Sequence, residues 1–205
     1  MKKIIFFGGP PTVGKSNFAR KVSQKYNIPW MPTDLIREWM TKIVREEDYP
    51  DLFLDFKYTA ESFWTKFNIE EAMQQELQRD KNVFKGIKSF IEENFYWDCY
   101  VMEGISIHPS MVDELKKINN AEFLFFNLIE TDPKRIRETI YERGLWGPAK
   151  TYKDWVKEKE IMYVEQFNQW YLDECKKYNL NYSMIGANYE KAFKEISNSI
   201  NIFLK

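Results

Sequence analysis

The chain has few of the side chains that hold transition metals or carry thiol chemistry: its 205 residues include one histidine, His108, and two cysteines, Cys99 and Cys175. A lone histidine cannot build a metal site by itself. The two cysteines match neither a disulfide framework nor a zinc-ligand spacing, so both thiols are expected to stay reduced. Net charge is scarce as well, since 30 basic and 31 acidic side chains leave −1 at pH 7. That balance argues against a long nucleic acid or an anionic membrane as partner, while leaving room for a local basic cleft. Long apolar runs are missing too. Met1-Lys2-Lys3 is followed by only four strongly apolar residues, too few for a signal-peptide core, and no stretch approaches membrane-spanning length. The expectation is a soluble, cytoplasmic protein forming one domain over 1–205 with additional helical material. Aromatic residues, at 17%, are the plentiful class, enough for a filled core and a ring-lined cleft.

Glycine is sparse, with eight in the chain, yet Gly8, Gly9 and Gly14 fall close together. They belong to Gly-Pro-Pro-Thr-Val-Gly-Lys-Ser over residues 9–16, which fits the phosphate-loop pattern G-x-x-x-x-G-K-[ST] directly after the apolar run Ile4–Phe7. A polyphosphate needs several converging backbone N–H donors, so the chain must curl tightly and approach closely, and glycine permits both. Pro10 and Pro11 carry no N–H, which leaves Thr12, Val13, Gly14, Lys15 and Ser16 to supply donors, alongside Gly9 at the start of the curl. In this reading Lys15 reaches the outer phosphates, Ser16 coordinates Mg²⁺, and a helix beginning near Lys15 aims its positive end at the same place. The bound species is a nucleoside triphosphate.

Short β-like runs alternate with longer helical stretches, the pattern of a parallel sheet covered on both faces, hence an α/β fold. Strands are predicted at Lys3–Phe7, Ile28–Met31, Cys99–Met102, Glu122–Ile129 and Asn181–Ile185. Thr33 or Asp34 caps a helix over Leu35–Glu46, and Asp132-Pro133 starts one over Lys134–Glu142 that Gly144 stops. Helical periodicity covers Trp155–Tyr178 and Tyr189–Leu204. Between residues 47 and 97 lies far more helical pattern than a crossover needs, including Tyr58–Glu71 and Ala72–Asn94; it is expected to cap the acceptor substrate. Gly144–Lys153, punctuated by glycine and proline, reads either as a mobile lid or as a plain surface loop.

Asp34 and Arg37 stand three apart at a helix start after the second strand. In parallel α/β sheets ligands sit at the carboxyl ends of strands, so the pair is expected to face the phosphate-loop crevice. There Asp34 takes the proton of an acceptor hydroxyl and Arg37 grips an anionic group, although an N-cap with a surface ion pair fits the same spacing. Glu103 ends a buried strand and suits a Mg²⁺ outer-shell ligand or a substrate orienter. His108 either touches substrate or lies exposed in a loop. Among Arg135, Arg137 and Arg143, the last lies beside the lid glycine and is the candidate to neutralise the transferring phosphoryl group. Gly186-Ala187-Asn188 reads as an adenine contact or an ordinary turn.

These pieces in this order resemble the P-loop kinases of the nucleoside-monophosphate-kinase type. A more detailed similarity is to the 2-phosphoglycerate kinase group: Pro32-Thr33-Asp34-x-x-Arg37, the long helical insertion, Val101-Met-Glu-Gly-Ile-Ser-Ile-His-Pro109, and Lys150-Thr-Tyr-Lys-Asp-Trp. The resemblance implies a three-layer α/β/α P-loop NTPase fold with a five-stranded parallel sheet in order 2-3-1-4-5. It also implies ATP as donor, Mg²⁺ as cofactor, and γ-phosphate transfer to a hydroxyl or phosphate of a small anionic metabolite akin to 2-phosphoglycerate. Two positions depart from the pattern: Ser106 stands where the group has a histidine, and Thr12 replaces the glycine usual in the loop. A polynucleotide or nucleotide 5′-kinase is the neighbouring alternative. From another class comes a switch NTPase acting through a protein partner, for which the guanine-binding N-K-x-D and switch D-x-x-G elements are absent.

Overall fold

The computed structural model describes residues 1–93, 96–186 and 188–205. Its first strand, β1 (Lys2–Gly8), is apolar at every position from Ile4 to Phe7 because both of its faces are covered. Ile5 and Phe7 pack with Phe18, Ala19 and Val22 of α1 (Lys15–Tyr26) and with Ile196 and Ile200 of α9 (Tyr189–Phe203). Ile4 and Phe6 face the other way, onto Ile36 of α2 (Thr33–Ile43) and Val83, Ile87 and Ile91 of α5 (Ile69–Glu93). A strand with alternating faces both apolar can sit only in the middle of a sandwich of helices.

Four further strands complete the sheet: β2 (Trp30–Pro32), β3 (Cys99–Glu103), β4 (Ala121–Ile129) and β5 (Tyr182–Met184). They run parallel in the order β2-β3-β1-β4-β5, the three-layer α/β/α P-loop arrangement. The register pairs Phe7 with Glu103 and Glu103 with Pro32, so three strands end level and deliver their following loops to one edge. A separate apolar cluster joins Phe63 and Trp64 of α4 (Ala60–Lys66) and Met73 of α5 to Ile136 and Ile140 of α7 (Pro133–Arg143) and Val164 and Phe167 of α8 (Asp154–Lys177). Among the described residues the remaining helical pieces are the single turns α3 (Leu54–Lys57) and α6 (Val112–Leu115) and 3-10 turns at Pro50–Phe53, Pro109–Met111 and Ala149–Thr151.

Most predicted elements are found within a residue or two, and the differences have local causes. Asn27 adopts a left-handed conformation at the end of α1, and the Ile28 N–H closes back onto the Ser23 carbonyl at 3.1 Å, so β2 begins only at Trp30. Neither Thr33 nor Asp34 caps α2; Pro32 occupies the cap position, and Thr33 lies inside the helix fully buried. The helix expected over Tyr58–Glu71 is broken at Phe67, which is extended. Asn68 and Glu71 then cap α5 reciprocally, each backbone N–H donating to the other's side chain at 2.9 Å. The expected helix end at Asn94 lies outside the described residues. Asp132 caps α7, its Oδ1 accepting from the Lys134 N–H at 3.0 Å, Pro133 follows, and Gly144 at φ 74° ends the helix. Among the described residues no helix is long and apolar enough to cross a membrane.

Candidate active site

The loop from Gly9 to Ser16 leaves β1 and enters α1, so its N–H groups lie where the first turn of that helix has no intrahelical acceptors. Gly14, at φ 88°, is the residue before the helix, a left-handed conformation that glycine adopts without strain. A Cβ on Gly9 would collide with the Leu128 carbonyl of β4, so this residue must be bare for the loop to sit against the sheet. Thr12 also takes a left-handed conformation, φ 70°, and its Oγ1 is buried without a hydrogen-bond partner. A β-branched residue there is strained. Val13 anchors the loop in the core beside Phe18.

Lys15 is buried and its ammonium donates to the Pro10 carbonyl at 2.7 Å. Burial depresses its basicity, Glu103 and Asp34 partly restore it, and the Arg143 guanidinium depresses it further. Glu103, at the end of β3, is 4% exposed. Burial raises its carboxyl above the ordinary range, against the pull of the Lys15 ammonium and the Ser16 hydroxyl. Ser16 is exposed. Together they present a hydroxyl and a desolvated carboxylate at the helix N-terminus, hard oxygen donors of the kind Mg²⁺ accepts. No cluster of three or more acidic, histidine or cysteine ligands exists among the described residues, and a cation carried by a triphosphate needs none.

These residues line a cleft of about 240 Å³ together with Asp34, Arg37, Asp55, Glu76, Arg79, Ile105, Trp146 and Tyr163. Of the residues singled out in sequence, Thr12, Gly14, Lys15, Ser16, Asp34, Arg37, Glu103 and Arg143 all border it. Asp34 is two-thirds exposed, and its oxygen is 3.9 Å from Arg37, so the two do not form a tight pair. Arg37 instead bonds Asp55 of α3 through its Nη1. The same Asp55 carboxylate accepts from Arg79 of α5 at 2.9 Å through its other oxygen. Arg79 is nearly buried and also donates to Glu76 one turn earlier. Burial alone would lower its basicity, but Glu76 and Asp55 override this and hold it charged.

Arg79, Glu76 and Asp55 escaped the sequence reading, although a signal was present for two of them. The buried stripe of α5 runs Ile69, Ala72, Met73, Glu76, Arg79, Asp80, Val83, Ile87, so charged residues occupy positions that helical spacing assigns to the interior. His108 is neither exposed nor in the cleft. It is 4% exposed, its Nε2 is 3.4 Å from Asp80, and its ring stands edge-on to Trp170. Asp80 also accepts from the Ser106 hydroxyl. Arg137 is paired bidentately with Glu158 at 2.6 Å and Arg135 with Glu130 at 2.8 Å, leaving Arg143 as the member of the trio that borders the cleft. The loop after α7 is tied down: the Leu145 N–H and the Tyr152 hydroxyl both donate to Glu160, at 3.1 and 2.8 Å. The proposed adenine contact at Gly186-Ala187-Asn188 includes Ala187, which lies outside the described residues.

No protein-family model matches the chain. A 2-phosphoglycerate kinase of Methanopyrus kandleri is 28% identical, the match covering 76% of this chain and 49% of the relative. A 2-phosphoglycerate kinase of Methanothermobacter thermautotrophicus is 29% identical over 73% of this chain and 51% of the relative. The chain therefore spans about half the length of the curated relatives it matches. Among solved structures, an uncharacterised protein of Eubacterium ventriosum shares the fold, with a TM-score of 0.50 at 14% identity over 98% of this chain and 99% of that one. The chain thus joins a phosphate loop and a parallel sheet in the order β2-β3-β1-β4-β5 to a sequence similarity to 2-phosphoglycerate kinases.

Proposed function

We propose that the protein is an ATP-dependent phosphotransferase that moves a γ-phosphate to a hydroxyl or phosphate of a small anionic metabolite, with 2-phosphoglycerate as the first acceptor to test. The observation that carries this reading is the convergence of a strand–phosphate loop–helix unit, Lys15, Glu103 and the Asp34/Arg37 segment on one cleft. The loop N–H groups from Thr12 to Ser16 cradle the phosphates, and the Lys15 ammonium exchanges the Pro10 carbonyl for phosphate oxygens. Ser16 and Glu103 fit as the residues that hold Mg²⁺, directly and through the outer shell, where it supplies charge neutralisation on the phosphate oxygens.

Asp34, exposed to the cleft, accepts the proton of the acceptor hydroxyl as that oxygen bonds the γ-phosphorus and the bridge to the β-phosphate breaks. Phosphoryl transfer passes through a loose transition state, so positioning and charge neutralisation contribute more than the strength of Asp34 as a base. Arg143 supplies positive charge from the other wall. In this reading residues 47–97 form the acceptor cap and 144–153 the lid of a single domain, and Glu160 with Tyr152 sets the lid's resting position.

The test is phosphate transfer from γ-labelled ATP to a panel of small acids including 2-phosphoglycerate, paired with ATP-binding measurements. Lys15→Ala is expected to lose triphosphate binding, whereas Asp34→Asn keeps it and loses transfer. Equal loss of ATP binding in both variants, or no ATP binding by the wild type, removes the assignment.

A further inference from the structure

Asp55 bridges two arginines of different helices. Its two carboxylate oxygens reach two different guanidinium groups, Arg79 at 2.9 Å on one side and Arg37 on the other, which is how an arginine pair holds a bound oxyanion. The three partners are unequally held. Arg79 is 9% exposed and locked by Glu76, and Arg37 is 20% exposed, whereas Asp55 is 41% exposed and rides on the single helical turn α3. The side chain that can leave at least cost is therefore the carboxylate.

The Asp55–Arg37 contact also divides space. A second cavity, of about 310 Å³, lies between α4 and the loop after α7 and is walled by Tyr58, Phe63 and Trp146. It shares Arg37, Asp55, Leu145 and Trp146 with the phosphate-loop cleft. If Asp55 moves away, Arg79 keeps Glu76 and the field of Asp80, whereas Arg37 loses its one close carboxylate and is left with Asp34 at 3.9 Å. A neutral molecule does not replace the charge-assisted hydrogen bonds that the two guanidinium groups lose with Asp55; a carboxylate or a phosphate does.

We propose that Arg37 and Arg79 form the anion subsite for the acceptor, and that Asp55 is an internal counter-anion which an acidic acceptor displaces and a neutral one cannot. This rests on the kinase reading for the word acceptor, but the anion subsite itself can be tested by binding alone. It assigns Arg79 and Asp55 to substrate selection and defines the class as a compact acid whose anionic group accepts hydrogen bonds from two sides. Because Asp55 holds the arginines most of the time, apparent affinity is reduced by the fraction of molecules in which it has swung away.

The experiment is titration calorimetry of wild type, Asp55→Asn, Arg37→Gln and the double variant with 2-phosphoglycerate, 3-phosphoglycerate and neutral glycerol. A non-hydrolysable ATP analogue and Mg²⁺ are added first to fill the phosphate loop, and their binding is recorded separately. Asp55→Asn is expected to bind at least one of the two acids about tenfold more tightly, Arg37→Gln about tenfold more weakly, and the gain should vanish in the double variant. Glycerol should bind none of them. Unchanged or weaker acid binding in Asp55→Asn, a gain that survives loss of Arg37, or no binding of either acid to any form overturns the proposal. Failure of the analogue to bind counts against the kinase reading alone, since the comparison between variants still reads the arginine pair.

Discussion

Replacing Thr12 by glycine should stabilise the fold, even though it deletes a side chain from a packed loop. A left-handed backbone costs a residue with a Cβ about 1–2 kcal/mol, and Thr12, at φ 70° and β-branched, pays at least that. Its buried, unpartnered hydroxyl adds about 1 kcal/mol of lost hydration. Against these stand about 0.5–1 kcal/mol of extra freedom gained by glycine in the unfolded chain and about 0.8 kcal/mol for the lost methyl group. The balance favours the variant by about 1 kcal/mol, or a rise in Tm of about 2–4 °C for a chain of this size. Urea unfolding followed by circular dichroism gives the number directly, provided the slope m is unchanged. Thr12→Val separates the two contributions, because it keeps the strained β-branched backbone and removes only the hydroxyl; it should recover about 1 kcal/mol at most. A Thr12→Gly variant less stable than wild type by 1 kcal/mol or more would refute the reasoning, since the left-handed conformation would then carry no penalty.

Two further outcomes follow from burial. Lys15 has a folded-state pKa depressed below 10.5 by desolvation, so the unfolded chain binds its proton more readily. The resulting destabilisation is fully present below the folded pKa and disappears as pH rises toward 10.5. Lys15→Met should accordingly be more stable than wild type by about 1 kcal/mol near neutral pH while losing triphosphate binding, and the stability gap should close at alkaline pH when both are unfolded in urea across a pH series. A gap that widens with pH would contradict the sign. The Cys175 thiol, on the buried face of α8 and pushed to about 12 by burial, should resist iodoacetamide at mildly alkaline pH and be alkylated only as fast as the protein unfolds. Alkylation of Cys175 in the native protein, read by mass spectrometry, would show that site to be open.

The sheet was legible because its signals are local and redundant. Each long strand is an apolar run, and Asp132-Pro133 with Gly144 brackets α7 by chemistry that works within a few residues. The break between α4 and α5 was equally local, an Asn-x-x-Glu capping box at Asn68 and Glu71, but apolar periodicity on both sides ran over it. Other features had no local signal. Asp55 is an unremarkable acid on a surface turn, and only the approach of α5 to α2 gives it two arginines. His108 reads as exposed or substrate-facing because its burial in the loop depends on Asp80, 28 positions earlier, and on Trp170, far later in the chain. Phosphate-loop residues announce themselves because backbone geometry near one strand end suffices; the acceptor side is built from segments that meet only when the whole chain is folded.

That contrast explains where the costs in this fold gather. Ion pairs that face solvent, such as Arg137 with Glu158, are satisfied and lie away from the cleft. Around the cleft the rules of stability are broken repeatedly: a β-branched residue in a left-handed conformation, a buried ammonium, a desolvated carboxylate on Glu103, and a buried Arg79–Glu76 pair. The first is backbone strain and the others are the burial of charge, which an apolar replacement of similar volume would relieve. A sequence selected only to fold has no reason to gather such penalties around one cavity. Their concentration is accounted for if the charges exist to meet charges that arrive from outside, the triphosphate at Lys15 and an acid at Arg37 and Arg79. On that account removing a buried charge such as Lys15 should trade function for stability, and the sign of that exchange distinguishes a residue kept for chemistry from one kept for the fold.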